Sequence, residues 1–260
     1  MTAPHIVWFR RDLRLADQPA LAAAAATGPV IPVYVLDDER PRDHALGGAS
    51  RWWLHHSLEG LGRDLAALGS RLILRRGHAA EEIAALAAET GAAGVHAIRH
   101  YEPWWREAEA GVSQRTDLAL YDGNYLLPPG TLRTGSGAGY KIYTPFAKAL
   151  LAQMPPHDPL PAPGTLAPPE QWPEGDPLAE WRLLPTKPDW AGGLADFWQV
   201  GEASAHERLD EWAGEVADYG DSRNMPSADG SSRLSPHLHW GEISPAQLWH
   251  RLARQASPGW

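Results

Sequence analysis

The residues best suited to chemistry lie in one short stretch, DGSSRLSPHLHWGEIS, which spans residues 229–244. It places the hydroxyls of Ser231, Ser232 and Ser235 within five positions, and Pro236 follows the last of them. A serine followed by a proline is typical of a helix start, with the serine as N-cap. Free amides at a helix start, joined by several hydroxyls, also suit a phosphate or diphosphate. The stretch therefore indicates either an ordinary cap or a site for a nucleotide-type ligand.

Other motifs give weaker signals. The glycines of TGSGAGY (134–140) do not follow a strand, so they indicate a loop rather than a dinucleotide site. The histidines of HLH (237–239) and HH (55–56) lack a carboxylate or third histidine at ligand spacing, which predicts no metal site. The arginines of RRDLR (10–14) suit an anion site or an interdomain salt-bridge cluster equally well. Ser244, Pro245 and Gln247 predict a helix that begins with a capping box.

The elements that must position these residues begin with an α/β pattern. Short apolar runs rich in β-forming residues predict five strands, over residues 5–10, 30–37, 71–77, 94–100 and 118–127. Helical patterns separate them: Asp17 is the expected N-cap and Gly28 the stop of the first, and Ser50 and Gly69 bound the second. This alternation predicts a Rossmann-like parallel five-stranded sheet with helices on both faces.

The composition changes after this region. Residues 155–190 contain 11 of the 24 prolines, which predicts a long connector rather than a helix or a sheet interior. Helical patterns return from about residue 203. We therefore predict an α/β domain over residues 1–129, a connector over 130–200 and the start of an all-α domain over 201–260.

Composition narrows the class of protein. The chain has 260 residues, no cysteine and a net charge of −9 from 23 basic and 32 acidic residues. The lack of cysteine suits a cytoplasmic protein and excludes disulfides and thiolate sites. No apolar run approaches the roughly 20 residues that a membrane span needs. An acidic chain does not coat nucleic acid with its whole surface, so any DNA contact must be a local patch.

Three segments together resemble the DNA photolyase/cryptochrome family, most of all its bacterial class I photolyases. They are WFRRDLRLADQPAL (8–21), YKIYTPFAKAL (140–150) and YGDSRNMPSADGSSRLSPHLHWGEISPAQ (219–247). The first is similar to the opening strand-and-turn signature of the family, and the third to its flavin-phosphate segment. The segments stand in the family's order, and the resemblance covers essentially the whole chain.

The resemblance implies FAD as cofactor and UV-damaged DNA as partner. Residues implied to contact the phosphates of FAD are Tyr219, Ser231, Ser232, Arg233, Leu234 and Ser235. Arg223 is similar to the family residue that contacts DNA phosphate; the alternative is an ion pair with Asp221 or Asp218. The family also implies an antenna chromophore, a deazaflavin or methenyltetrahydrofolate. Trp104 and Trp105 stand where folate-binding members have an Asn-Glu pair, which disfavours folate.

The implied activity is light-dependent splitting of cyclobutane pyrimidine dimers by a protein that is monomeric at full length. Family members are nearly twice this long, and their electron-transfer tryptophans and lesion pocket lie beyond the position of Trp260. The resemblance thus implies a truncated photolyase, with no catalytic residue within the chain and no activity alone. The alternatives are a cryptochrome-type blue-light receptor and a remnant α/β nucleotide-binding module.

Overall fold

The computed structural model describes residues 2–216, 219–225, 227 and 230–254. A parallel sheet of five strands forms the centre of the first half. The strands are β1 (His5–Phe9), β2 (Val30–Leu36), β3 (Ile73–Arg76), β4 (Gly94–Ile98) and β5 (Leu118–Tyr121). Their order across the sheet is β3-β2-β1-β4-β5, and every neighbouring pair is parallel. The prediction of a Rossmann-like five-stranded parallel sheet is confirmed.

Helices connect the strands and form the C-terminal part of the chain. In the described residues they are α1 (Pro19–Thr27), α2 (Gly48–Ala67), α3 (Ala79–Thr90), α4 (Pro103–Ser113), α5 (Tyr143–Leu151), α6 (Gly192–Phe197), α7 (Glu202–Glu215), α8 (Tyr219–Ser222), α9 (Ser235–Trp240) and α10 (Pro245–Ala253). Short 3-10 turns span Arg42–His44 and Leu178–Trp181. Apolar residues of α1 and α2 pack on one face, and those of α3 and α4 on the other. All residues of β2 are buried, as expected of an interior parallel strand.

The proline-rich connector lies against the α/β layer. Leu166 and Trp181 are buried in the core that α1 and α2 share. Main-chain hydrogen bonds add to this packing: Leu166 N donates to Leu68 O at 2.9 Å, and Asp176 N donates to Leu74 O at 2.8 Å. The connector is thus an ordered strap over one edge and one face of the sheet.

The helices of the C-terminal part pack on one another and on the sheet domain. Leu209 of α7, Leu234 and Ile243 share a small core. Trp240 of α9 instead belongs to the core beneath α1 and α2. Both halves of the chain therefore contribute to one buried layer.

Two predicted helix caps are wrong. The N-cap of α1 is Gln18, whose side chain accepts from Ala20 N, because the carboxylate of Asp17 is taken by long-range partners. Helix α2 begins at Gly48 with Gly47 as its cap, two residues before Ser50. The capping box at Ser244 is confirmed, with both of its reciprocal hydrogen bonds to Gln247.

Candidate functional site

The serine run, Ser231, Ser232 and Ser235, leads directly into α9. Arg233 and Leu234 fix the course of its backbone. Arg233 has a left-handed conformation with φ of 54°, which turns the chain ahead of the helix. Leu234 is then buried against Leu209 and Ile243, and it is the N-cap residue, without a side-chain cap bond. The interpretation of Ser235 as the cap is therefore wrong, because the buried leucine takes that position and Ser235 is the first helical residue.

One arginine of α7 holds the carbonyl side of the serine run. Arg208 Nε donates to Ser232 O at 2.9 Å, and Arg208 Nη2 donates to Ser231 O at 3.2 Å. Ser232 Oγ accepts from Leu234 N at 3.4 Å. Ser231 and Ser235 are exposed. The carbonyls of Ser231 and Ser232 are thus directed at α7. The exposed hydroxyls of Ser231 and Ser235 are accessible to a ligand.

A cleft of about 230 Å³ lies beside this run. Arg233 lines it, with its guanidinium carbon 4.3 Å from the ring centroid of Phe197. Arg208 also lines it and forms an ion pair with Glu211 at 3.2 Å. Of the predicted cofactor residues, Arg233 thus borders the cleft, whereas the serines and Tyr219 lie outside its lining.

Tyr219 and Arg223 come together on α8 and the residue that follows it. The Tyr219 ring is 38% exposed and makes an edge contact with Trp212, with centroids 5.7 Å apart. The guanidinium carbon of Arg223 lies 5.5 Å from the Tyr219 centroid, and Arg223 is exposed. Within the described residues no ion pair joins Arg223 to Asp221. Asp218, the other suggested partner, lies outside the described residues.

Helix α9 is fixed to α2 by a buried carboxylate that the sequence reasoning missed. Glu242 is fully buried and accepts from Trp53 Nε1 at 3.0 Å, Ser57 Oγ at 2.7 Å and His237 Nδ1 at 2.6 Å. The signal available in the sequence is an acidic residue between Trp240 and Ile243, in an otherwise apolar stretch. His237 therefore has a structural role as a partner of Glu242.

The first arginine of RRDLR is buried at the carboxyl end of β1. Arg10 Nη1 donates to Glu109 at 2.6 Å, and its guanidinium carbon lies 4.3 Å from the Trp8 centroid and 5.6 Å from that of Trp105. Burial lowers the pKa of Arg10, and the charge of Glu109 opposes that change. Both terminal nitrogens of this arginine have protein partners, Glu109 and the Ile98 carbonyl, whereas its buried Nε has none among the described residues.

Arg14 connects the same turn to the C-terminal part. Its guanidinium is buried and donates to Asp17 O and Gly123 O, both at 2.9 Å, and to Gly241 O at 3.0 Å. Arg10 and Arg14 thus have protein partners, and the motif holds the two parts of the chain together. This decides between the two interpretations of RRDLR in favour of a structural cluster.

Trp104 and Trp105 have different environments. Trp105 is buried and contacts Trp8, with centroids 6.1 Å apart. Trp104 stacks on His44 at 5.3 Å and lines a second cleft, of about 330 Å³, which Arg40 also borders. Packing on the sheet accounts for Trp105, whereas Trp104 is available at a cleft.

Two further motifs can be assessed. Residues 134–140 form a loop closed by the hydrogen bond from Thr134 N to Ala138 O, as predicted. The prediction that no carboxylate accompanies His55 and His56 is wrong, because one turn of helix brings Glu59 to them.

Among the residues that the structure describes, none of the helices combines the length and the apolar character that a membrane span requires.

Comparison with known proteins identifies relatives of this arrangement. The DNA photolyase family profile matches residues 5–164. A deoxyribodipyrimidine photo-lyase of Agrobacterium fabrum is 43% identical over 256 residues, which cover 96% of this chain and 53% of that protein. Cryptochrome-1 of Arabidopsis thaliana is 30% identical over 269 residues, 98% of this chain and 38% of that protein.

A solved structure gives the same result. The crystal structure of a bacterial class III photolyase from Agrobacterium tumefaciens superimposes with a TM-score of 0.93 at 42% identity, over 99% of this chain and 55% of that one. The chain spans about half the length of the photolyases that it matches.

Proposed function

The chain belongs to the DNA photolyase/cryptochrome family, and on that premise we propose that it serves light-dependent repair of pyrimidine dimers in DNA. The observation that carries the proposal is the 43% identity to a deoxyribodipyrimidine photo-lyase across 96% of the chain. The class III type is the narrower proposal, because the solved structure at 42% identity is a class III photolyase. The bacterial class I type suggested by the motifs stays a prediction, as do the domain bounds at 129/130 and 200/201 and the monomeric state.

Members of this family bind FAD, and we propose that the serine run is where this chain contacts the diphosphate. Four features fit an anionic group: the exposed hydroxyls of Ser231 and Ser235, the half-buried Ser232, and Arg233 at the cleft. Hydroxyls and guanidinium groups are the donors that phosphate oxygens prefer. When bound, FAD supplies the light-driven electron that splits the cyclobutane ring.

Arg208 has a positioning role in this proposal. It holds the carbonyls of Ser231 and Ser232, so the carbonyl oxygens, which would repel phosphate, are directed to α7. Tyr219 and Leu234 have separate parts: Tyr219 offers an exposed hydroxyl-bearing ring, and buried Leu234 fixes the turn. The chain's own contribution is therefore to bind and orient the cofactor.

Titration of the purified protein with FAD, followed by quenching of flavin fluorescence, tests the site. We expect Ser231→Ala combined with Ser235→Ala to weaken binding about a hundredfold or more, since two charge-assisted hydrogen bonds of about 1.5 kcal/mol or more each are lost. Ser113→Ala, an exposed serine at the end of α4, is the matched control and should bind as the wild type does. Equal affinity of the double variant and the control would refute the assignment.

We propose Arg223 as a DNA phosphate contact. Arg223 is exposed, and its guanidinium contacts the ring of Tyr219. This contact keeps the positive charge of Arg223 at the surface. A single phosphate contact contributes about 0.9 to the slope of log affinity against log salt concentration on duplex DNA. Arg223→Gln should lower the magnitude of that slope by about this amount. Arg99→Gln, at the exposed position directly after β4, should leave the slope unchanged. An unaltered slope in Arg223→Gln would count against the contact.

The activity itself is tested with the protein expressed from its intact gene. With reduced flavin and blue light, DNA that contains thymine dimers should regain the ultraviolet absorbance of thymine, because splitting of the cyclobutane ring restores the C5=C6 double bonds. A sample kept in the dark is the control. Absence of repair under light, with FAD bound, would overturn the enzymatic proposal.

A cryptochrome-type photoreceptor is the second candidate, favoured by the 30% identity to Arabidopsis cryptochrome-1 over 98% of the chain. It predicts bound flavin without repair, and a partner that docks only after illumination. A remnant nucleotide-binding module predicts a folded chain that retains no flavin band after gel filtration. Measurements on the same purified sample thus distinguish the three candidate functions.

For an antenna chromophore, we propose the cleft beside Trp104. The half-buried ring of Trp104 and the guanidinium of Arg40 offer stacking and charge to an aromatic, anionic molecule such as a deazaflavin or methenyltetrahydrofolate. The absorption spectrum of material released from the purified protein distinguishes the two, and Trp104→Ala should lower its yield. An undiminished yield would place the chromophore elsewhere.

A further inference from the structure

Three potential metal ligands lie on the solvent side of α2. His55, His56 and Glu59 stand at positions i, i+1 and i+4 of this helix. At about 100° per residue, Glu59 projects between the two histidines, roughly 40° from one and 60° from the other. Each residue offers one nitrogen or oxygen atom, and these three atoms lie within 4.8 Å of one another.

The three side chains lie close to one another, at distances somewhat longer than those between the ligands of a metal ion. His56 Nδ1 lies 3.7 Å from Glu59 Oε2, and the two imidazole rings are nearly perpendicular, with centroids 5.2 Å apart. Ligand atoms of a tetrahedral zinc site are about 3.4 Å apart, given Zn–N distances of about 2.1 Å. Small side-chain rotations therefore suffice to bring all three atoms onto one ion.

His55 has an unmet bonding capacity. Its Nδ1 is buried from solvent and has no hydrogen-bond partner among the described residues.

The surroundings restrict the rings. The Trp52 ring contacts that of His56 edge-on at 4.6 Å, and Trp52 is itself buried. Trp53 and Ser57 lie on the other side of the same turns, where they hold Glu242. The helix segment that carries the trio is consequently anchored on its inner side.

We propose that His55, His56 and Glu59 bind a divalent transition metal ion, Zn²⁺ foremost, with water completing the coordination. Two imidazoles and one carboxylate form a donor set that zinc uses. Within the described part of the chain, no other three histidine or acidic side chains converge in this way. The site is separate from the serine run and from the Trp104 cleft, and it does not depend on flavin or DNA binding.

Calorimetric titration of the metal-free protein with Zn²⁺ tests the proposal, with Co²⁺ absorption in the visible range as a reporter of imidazole coordination. We expect one ion per chain. Glu59→Gln and His56→Ala should each weaken binding about tenfold or more, because loss of groups that merely support a metal ligand already costs about that much. Glu59 is 57% exposed in its side chain, so its substitution leaves the fold intact, which circular dichroism checks.

His78→Gln is the matched control, because His78 also pairs with carboxylates, Glu39 at 2.9 Å and Glu81 at 3.6 Å. Its affinity for Zn²⁺ should equal that of the wild type. Absence of a Zn²⁺ isotherm in the wild type would overturn the proposal, as would equal binding by Glu59→Gln and His56→Ala. Loss of binding in His78→Gln alone would place the ion elsewhere and would equally refute it.

Discussion

Replacement of Glu242 by alanine should destabilise the protein strongly, because three buried donors lose their acceptor at once. Trp53, Ser57 and His237 are each less than 10% exposed and donate to this carboxylate at 2.6–3.0 Å. An unsatisfied buried donor costs about 1–3 kcal/mol, and removal of one member of a buried charged network costs about 3–5 kcal/mol. We therefore expect Glu242→Ala to lower the free energy of unfolding by about 4 kcal/mol.

Two further variants distinguish loss of the buried hydrogen bonds of Glu242 from mere loss of a negative charge. Glu242→Gln retains an oxygen for Trp53 and Ser57 and presents its amide to His237, so we expect a loss of about 1–2 kcal/mol. Glu107→Ala is the control for loss of a negative charge, because that glutamate is exposed and lies 3.9 Å from Arg40. An exposed pair of this kind contributes about 0–1 kcal/mol.

Thermal and urea unfolding, followed by tryptophan fluorescence, measure the differences. A change of 1 kcal/mol shifts the midpoint by about 2–4 °C in a protein of this size, so Glu242→Ala should lower Tm by about 8–16 °C. The order of stability should be wild type and Glu107→Ala, then Glu242→Gln, then Glu242→Ala. Equal midpoints for Glu242→Ala and Glu107→Ala would refute the reasoning, since the buried carboxylate would then contribute no more to stability than an exposed one.

Three other changes test the junction and the sheet edge. Arg14→Lys should cost about 2–4 kcal/mol in urea unfolding, because one ammonium cannot reach the carbonyls that the guanidinium fork serves; a loss below 1 kcal/mol would contradict this role. Gly241→Ala should cost about 2 kcal/mol or more, because φ is +67° and a new Cβ would meet the backbone of Arg11 and Asp12; normal expression and stability would show that this approach is looser. His100, and next the Glu102 backbone amide and Arg11, lower the pKa of Glu102 to about 2, so its stabilising effect is complete above pH 4.5 and is lost as pH falls towards 2. Glu102→Gln should flatten the pH dependence of unfolding in that window, and an unchanged pH profile would refute the effect.

The sheet was predictable from the sequence because each strand is a short apolar run between helical patterns. Strand ends differ by a few residues; β5 stops at Tyr121 rather than at 127, since the chain turns off at Gly123, beside Ile98 and Pro19. The connector was also predictable in position. Its burial was not, because Leu166 and Trp181 meet partners remote in sequence.

The caps and the site were less predictable, for the same physical reason. Asp17 has the residue type of a cap, but its carboxylate bonds His157 and Ser244, which lie 140 and 227 residues away. Ser235 is displaced from the cap position by burial of Leu234. The positioning role of Arg208 depends on a contact across 23–24 residues. Local pattern identifies a residue's type, whereas these roles depend on contacts distant along the chain.

The bond from Arg14 to the Gly241 carbonyl has a consequence for biosynthesis. Its two partners are 227 residues apart, and at about 5–20 residues per second a ribosome needs about 11–45 s to make the chain between them. During that interval the guanidinium lacks one acceptor, and the layer that Trp240 completes has an apolar gap. The nascent α/β half therefore emerges with an uncovered face, and chaperones have a defined period in which to shield it before α9 arrives.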